Sequence, residues 1–188
     1  ACATARGAGR VNPAFFNPRG AIGALLLGAA GIIAANGLVS TALGISIRER
    51  GFGDTAAAGV VAGFFAGLLF GANFAGRVVE AAGHIRAFAA LCAGATLCTL
   101  GLLFEADPWL WLILRLGAGY CIAGTYLVME SWLAHFATEA TRGRVLAIYI
   151  MTCQVGLAAG QGLVGLWSNQ SPLPIVLGAA LYVGALVP

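Results

Sequence analysis

Charged residues are scarce in this sequence, and all ten basic residues are arginine. Acidic and basic residues together make up 9% of the 188 residues, whereas an ordinary soluble domain carries about 25%. So few charges do not cover the surface of a soluble globule, and the mean hydropathy of +0.91 indicates that apolar side chains face lipid. The chain is also too poor in polar residues for intrinsic disorder. The composition therefore predicts a membrane protein.

Several chemical signatures are missing as well. The five cysteines include no C-x-x-C pair and none at ligand spacing from a histidine, so neither a disulfide scaffold nor a metal site is predicted. No basic run is longer than Arg142-Gly143-Arg144, which argues against a nucleic-acid partner. Because the motifs of nucleophilic hydrolases, zinc proteases and phosphate-binding loops are absent, we expect no enzyme activity and no cofactor.

Long apolar runs separated by short polar breaks dominate what is present. A helix needs ~20 apolar residues to cross a bilayer. Five runs are of about this length or longer: Ala21–Ile47, Thr55–Gly76, Ala87–Phe104, Trp109–Phe136 and Val145–Trp167. A sixth begins near Leu173 and is still apolar at Pro188, so we expect a chain truncated in its sixth helix. Uninterrupted runs favour helices over a β-barrel, whose strands alternate over ~10 residues. The predicted fold class is all-α, a polytopic bundle with five complete spans and a partial sixth.

The arginines indicate the orientation of this bundle. Two of them, Arg48 and Arg50, fall on one side of the predicted spans. Seven fall on the other side: Arg6, Arg10, Arg19, Arg77, Arg86, Arg142 and Arg144. Cytoplasmic loops are enriched in basic residues, so the leader at residues 1–20 is predicted to be cytoplasmic.

Glycine is abundant, with 28 residues, and it recurs at four-residue spacing in two spans. This spacing puts the glycines on one helix face, where a neighbouring backbone can approach closely. Two interpretations are open: tight helix packing, or a surface along which moving helices slide. The glycines concerned are Gly59, Gly63, Gly67 and Gly71 in the second span, and Gly156 and Gly160 in the fifth.

Arg115 is the one arginine inside a predicted span. A charge at that depth costs a few kcal/mol unless it meets water or a partner, and intramembrane charges usually mark functional sites. The first span crosses in the opposite sense and puts Asn36 at comparable depth, with Ser40 a turn above it, while Gln161 lies in the outer half of the fifth span. Either these groups converge on a polar cavity, or Arg115 snorkels to the outer surface.

Glu130 lies near the other end of the same span, ~22 Å along the helix from Arg115. Arg142, Arg144 and Arg86 are its plausible partners at the cytoplasmic side. A salt bridge that tethers loops and a role in proton coupling both fit this position.

Segments on successive spans resemble the motifs of the major facilitator superfamily. The loop after the second span is similar to its G-x-L-x-D-R-x-G-R-R segment, with departures at Ala81 and His84 and matches at Gly76, Val78, Glu80 and Gly83. Arg115-Leu-Gly-Ala-Gly119 resembles the R-x-x-x-G motif of helix four. The start and the glycine-rich middle of helix five are matched by Arg142-Gly143-Arg144 and Gly156-x-x-x-Gly160. Val128-Met-Glu130-Ser131 resembles bacterial inner-membrane members.

The resemblance covers about Ala21 to the end and implies the N-terminal half of a twelve-helix secondary transporter. Such a half consists of two inverted three-helix repeats that rock against a second half. Helices one and four would line the cavity, with Asn36 and Arg115 touching an anionic or zwitterionic solute or its coupling ion. Glycine-lined helices two and five would face the missing C-terminal half. The cytoplasmic side would be latched by Glu80, Arg86, Arg142 and Arg144.

The implied partners are the lipid bilayer of the bacterial inner membrane, a small-molecule substrate and the C-terminal half. The competing interpretation is a non-transporting assembly or interaction protein with the same fold, which complete helices without a polar cavity would favour. An intramembrane enzyme is the third, and the sequence offers it no nucleophile and base.

Overall fold

A computed structural model describes residues 18–104, 107–167 and 171–186. Within these ranges the chain is all-α, as predicted, with no strand. Most of the leader predicted for residues 1–20 lies outside the described residues. The elements are α1 (Pro18–Glu49), α2 (Asp54–Ala82), α3 (His84–Gly101), α4 (Pro108–Phe136), α5 (Arg142–Leu163), a short 3-10 turn (Val164–Leu166) and α6 (Leu173–Gly184).

Five helices of the described chain, α1 to α5, are long and apolar enough to cross a membrane, and α6 is a shorter apolar helix of 12 residues. This confirms the prediction of five complete spans and a shorter sixth. The largest difference lies at the end of α2, which extends past the predicted boundary at Gly76 to Ala82. Between Gly76 and Gly83 the sequence contains no glycine or proline, so the helix continues. Gly83 has a φ of 82°, a conformation that side chains disfavour. The predicted signature loop is therefore mostly helical.

The helices pair in a repeated pattern. The first helix, α1, packs against α5 and α6, and α4 packs against α2 and α3. Exchanging α1 with α4, α2 with α5 and α3 with α6 converts one set of pairs into the other. This equivalence is the arrangement that two inverted three-helix repeats produce.

Glycines lie in the two seams of closest approach, α2 with α4 and α1 with α5. A Cβ on Gly63 would lie 2.8 Å from the carbonyl oxygen of Leu112, and a Cβ on Gly156 would lie 2.9 Å from that of Ala30. These glycine faces are turned into the bundle. The opposite faces of α2 and α5 are exposed and carry large apolar side chains, including Val61, Phe65, Leu69, Ile150, Met151 and Val155.

Cysteines and glycines interlock between α3 and α4. A Cβ on Gly94 would lie 2.7 Å from the Sγ of Cys121, and one on Gly117 would lie 2.9 Å from the Sγ of Cys98. Both cysteines are free thiols. They fill the space opposite a missing side chain, which is the packing role of a small apolar residue.

The start of α4 offers a test of the helix boundary. The Leu110 amide donates to the Asp107 carboxylate at 2.9 Å, and Pro108 occupies the first turn. Replacing Asp107 with alanine leaves that amide without its cap, so we expect a stability loss of about 1 kcal/mol. Asparagine at 107 should retain most of it. Chemical unfolding of the purified protein measures both, and equal losses for the two variants would contradict a capping role.

Candidate functional site

Arg115 is held between three helices in the interior of the bundle. Its side chain is 6% exposed. The Nη2 of Arg115 donates to the Oγ of Ser40 on α1 at 3.0 Å, and its Cζ lies 4.2 Å from the centre of the Phe64 ring on α2. Buried Tyr182 of α6 lies within electrostatic range of the guanidinium. The Nε of Arg115 is buried and has no hydrogen-bond partner among the described residues.

A line of polar side chains continues from Arg115 along α1. Ser40 donates to the Oδ1 of Asn36, one helical turn away, at 3.4 Å. Both residues are half-buried, so this end of the line is more open than the arginine. Thr41 is turned away, because its hydroxyl donates to the Gly37 carbonyl at 2.9 Å. The structure thus brings Arg115, Ser40 and Asn36 together in one chain of hydrogen bonds.

The described conformation of Arg115 is not the snorkelled one. Its guanidinium contacts Ser40, which lies nine residues before the outer end of α1 at Glu49. Nine residues of helix correspond to ~13 Å. The charged group therefore lies well below the predicted outer end of α1, among buried partners.

Gln161 lies beside the polar line without joining it. The backbone of α5 approaches α1 at Gly37, where an added Cβ would lie 3.3 Å from the backbone nitrogen of Gln161. The Gln161 side chain itself is exposed. Phe64 is the contact that the sequence did not reveal, because a phenylalanine in an apolar span carries no signal that distinguishes it from a packing residue.

The residues predicted to form a cytoplasmic gate are spread over the helix ends. Gly76 is half-buried on α2, and Glu80 and Arg86 are exposed on either side of Gly83; neither charge forms an ion pair among the described residues. The junction between α2 and α3 is instead connected to α4 by His84. Its Nε2 lies 3.1 Å from the Oγ of Ser131, and its ring stacks on Trp132.

Glu130 and Arg142 line one cavity of about 190 Å³ between α4 and α5. They form no ion pair in the described part of the chain, and both side chains are exposed. Arg142 and Arg144 belong to the first turn of α5 and not to the preceding loop, where the sequence had suggested them. Arg144 lines a different surface, next to Ala147 and Met151. Of the three arginines proposed to face Glu130, the structure brings Arg142 to its cavity.

The chain is similar in sequence to several curated bacterial proteins. It is 35% identical over 129 residues to an uncharacterized MFS-type transporter of Yersinia enterocolitica, an alignment covering 69% of this chain and 34% of the relative. An uncharacterized MFS-type transporter of Yersinia pestis is 36% identical over 128 residues, 68% of this chain and 32% of the relative. The uncharacterized MFS-type transporter YcaD of Escherichia coli is 38% identical over 131 residues, 65% of this chain and 32% of the relative.

The chain thus spans about a third of the length of the curated relatives it matches. No protein-family model matches the chain, and no solved structure matches it significantly.

Proposed function

We propose that this chain, which belongs to the major facilitator superfamily, forms the N-terminal half of a secondary active transporter that moves a small solute by alternating access. The proposal includes two further points: the cargo is a small solute, and its transport is coupled to an ion. The relatives, which are named as MFS-type transporters, support the transport role.

The polar line from Arg115 to Asn36 is the observation that carries the proposal. It connects α4 with α1, the first helices of the two inverted repeats, in the interior of the bundle. Transporters built from inverted repeats hold substrate and coupling ion near the midplane, at the interface of the repeats. Asn36 and Arg115 therefore contact the solute or its coupling ion, and Gln161 lies at the edge of this site.

The gate of the transporter lies at the opposite end of the helices. Glu80, Arg86, Glu130 and Arg142 are exposed there, and none of them forms an ion pair within the described chain. Exposed charges without a partner in this half are available to pair with a second half when the cytoplasmic side closes. The exposed apolar faces of α2 and α5 pack against that half, so that their large side chains are buried between the two halves.

The bacterial inner membrane is the proposed location, with the N-terminus in the cytoplasm. The excess of arginines at the cytoplasmic end supports this orientation. The alternative, a non-transporting assembly protein of the same fold, predicts a site that never opens to both sides of the membrane.

A single cysteine at position 36 tests alternating access in the full-length transporter, after the native cysteines are replaced by serine or alanine. Labelling with a membrane-impermeant maleimide is compared in right-side-out and inverted vesicles. We expect Asn36→Cys to react in both, because the site opens to each side in turn. Reaction from one side alone, or from neither, would favour the assembly protein.

Two glycines with open surroundings provide the controls for sidedness. Neither Gly53 nor Gly143 has a heavy atom within 4 Å of the position of an added Cβ. Gly53→Cys should react in right-side-out vesicles only, and Gly143→Cys in inverted vesicles only. The same side for both positions would refute the predicted topology.

A further inference from the structure

We propose that the Arg115 site binds a carboxylate group of the transported solute. This inference rests on the proposed transport function and specifies the chemical class of its substrate. Three observations carry it: a buried charge with no acidic partner, the geometry of its free donors, and the donor groups at the open end of the polar line.

The first observation concerns charge. Arginine keeps its proton in proteins, so the buried guanidinium carries a full positive charge. Its neighbours, Ser40, the ring of Phe64 and the phenol of Tyr182, are all uncharged at neutral pH. A buried charge that lacks a counter-charge is strongly unfavourable, in water-soluble proteins and in membranes alike.

The described acidic residues on the helices around Arg115 lie too far along those helices to supply that counter-charge. On the helices that contact Arg115, the nearest are Asp107, eight residues away on α4, Glu49, nine residues beyond Ser40 on α1, and Asp54, ten residues before Phe64 on α2. These separations correspond to ~12–15 Å along the helices. Of the other described acids, Glu80 lies near the end of α2, Glu130 lies 15 residues beyond Arg115 on α4, and Glu139 lies between α4 and α5. No acidic side chain of the described residues therefore neutralises Arg115, and the proposed carboxylate supplies the missing charge.

The second observation concerns the geometry of the free donors. The guanidinium lies over the Phe64 ring, with Cζ 4.2 Å from the ring centre. Ser40 accepts one hydrogen bond from Nη2, while the buried Nε has no partner in the part of the chain that the structure describes. The N–H groups of a guanidinium lie in its plane, so the unused Nε donor lies at the edge of the group. A carboxylate binds such an edge through two parallel hydrogen bonds, which makes it the matching ligand.

The third observation concerns the open end of the line. Asn36 uses its Oδ1 to accept from Ser40, so its amide group remains available as a donor to a ligand. Asn36 and Ser40 are half-buried, and the ligand enters past them. A site that offers a cation and an amide, and no acidic acceptor, selects an anion over a cation of similar size.

Thermal unfolding of the full-length transporter in neutral detergent tests the inference. Sodium acetate, benzoate and succinate are compared with sodium chloride at equal ionic strength, and acetamide and tetramethylammonium chloride serve as uncharged and cationic probes. We expect at least one carboxylate to raise the unfolding midpoint in a saturable manner, because a ligand that binds only the folded state stabilises it. Acetamide and tetramethylammonium should not raise it.

Arg115→Gln should weaken the apparent affinity for that carboxylate about tenfold or more, as expected for losing hydrogen bonds to a charged group. Arg77→Gln is the matched control, because Arg77 also lies over a phenylalanine ring, 5.3 Å from the centre of Phe74, but is exposed. It should leave the response unchanged. If Arg115→Gln fails to fold, Asn36→Ala and Ser40→Ala supply the test, since each should weaken the response without removing the charge.

The inference is wrong if no carboxylate stabilises the protein more than chloride, or if the response survives in all three site variants. A response to phosphate or sulfate alone would also overturn it, because the site would then select another oxyanion. So would insensitivity to anions combined with a lower midpoint for Arg115→Gln, which would identify an acidic side chain of the second half as the counter-charge. Labelling of position 36 from both sides, without any carboxylate response, would leave the transport role standing and refute the substrate class alone.

Discussion

Alanine at position 160 is expected to destabilise the bundle by about 2 kcal/mol or more, although it adds only one methyl group. The Cβ of residue 160 would overlap the carbonyl oxygen of Ala34 in the seam between α1 and α5. A helix backbone cannot rotate away as a side chain does, so the two helices must separate and lose packing along the seam. Gly67→Ala should behave alike, because its Cβ would overlap the Leu116 carbonyl of α4.

Gly162 provides the matched control on the same helix. An added Cβ at position 162 meets no atom within 4 Å, and the residue is exposed. Alanine there should be neutral or stabilising by up to about 1 kcal/mol, because alanine is the better helix former. Unfolding of the purified variants by sodium dodecyl sulfate measures the difference. Equal effects at positions 160 and 162 would show that the seam tolerates a wider separation.

Replacing Arg115 with methionine should have the opposite effect on stability. Methionine approximates the length of the side chain and removes a buried charge, whose insertion into a membrane costs about 3 kcal/mol. The lost hydrogen bond to Ser40 and the lost contact with Phe64 offset most of the gain, so we expect a net stabilisation of up to about 1 kcal/mol. The same variant should lose every response to carboxylates.

Lysine at position 115 separates charge from size. It keeps the positive charge, lacks the planar fork, and should give neither the stabilisation nor the full carboxylate response. The same unfolding assay compares the three proteins in chloride. If Arg115→Met is instead less stable than the parent, Arg115 is a structural residue whose contacts stabilise the bundle.

Three places show most clearly where the prediction and the structure agree and where they differ. The spans followed from apolar length alone, because in lipid only helices and closed barrels satisfy every backbone hydrogen bond. The predicted end of α2 at Gly76 is too early, because charged residues such as Arg77 and Glu80 continue a helix at the membrane surface without penalty. The contact between His84 and Ser131 was not predicted, since the two residues lie 47 positions apart.

The sequence by itself determined the membrane environment, the number of long spans, the glycine faces and the one arginine buried within a span. These properties depend on composition and on helical periodicity, which are local along the chain. The tertiary structure alone decided that Arg115 meets Ser40 and Phe64, that Gln161 stays outside the polar line, and that Glu130 shares a cavity with Arg142. These contacts depend on how helices distant in sequence are rotated and staggered against each other, and small residues permit many such arrangements until all six helices pack together.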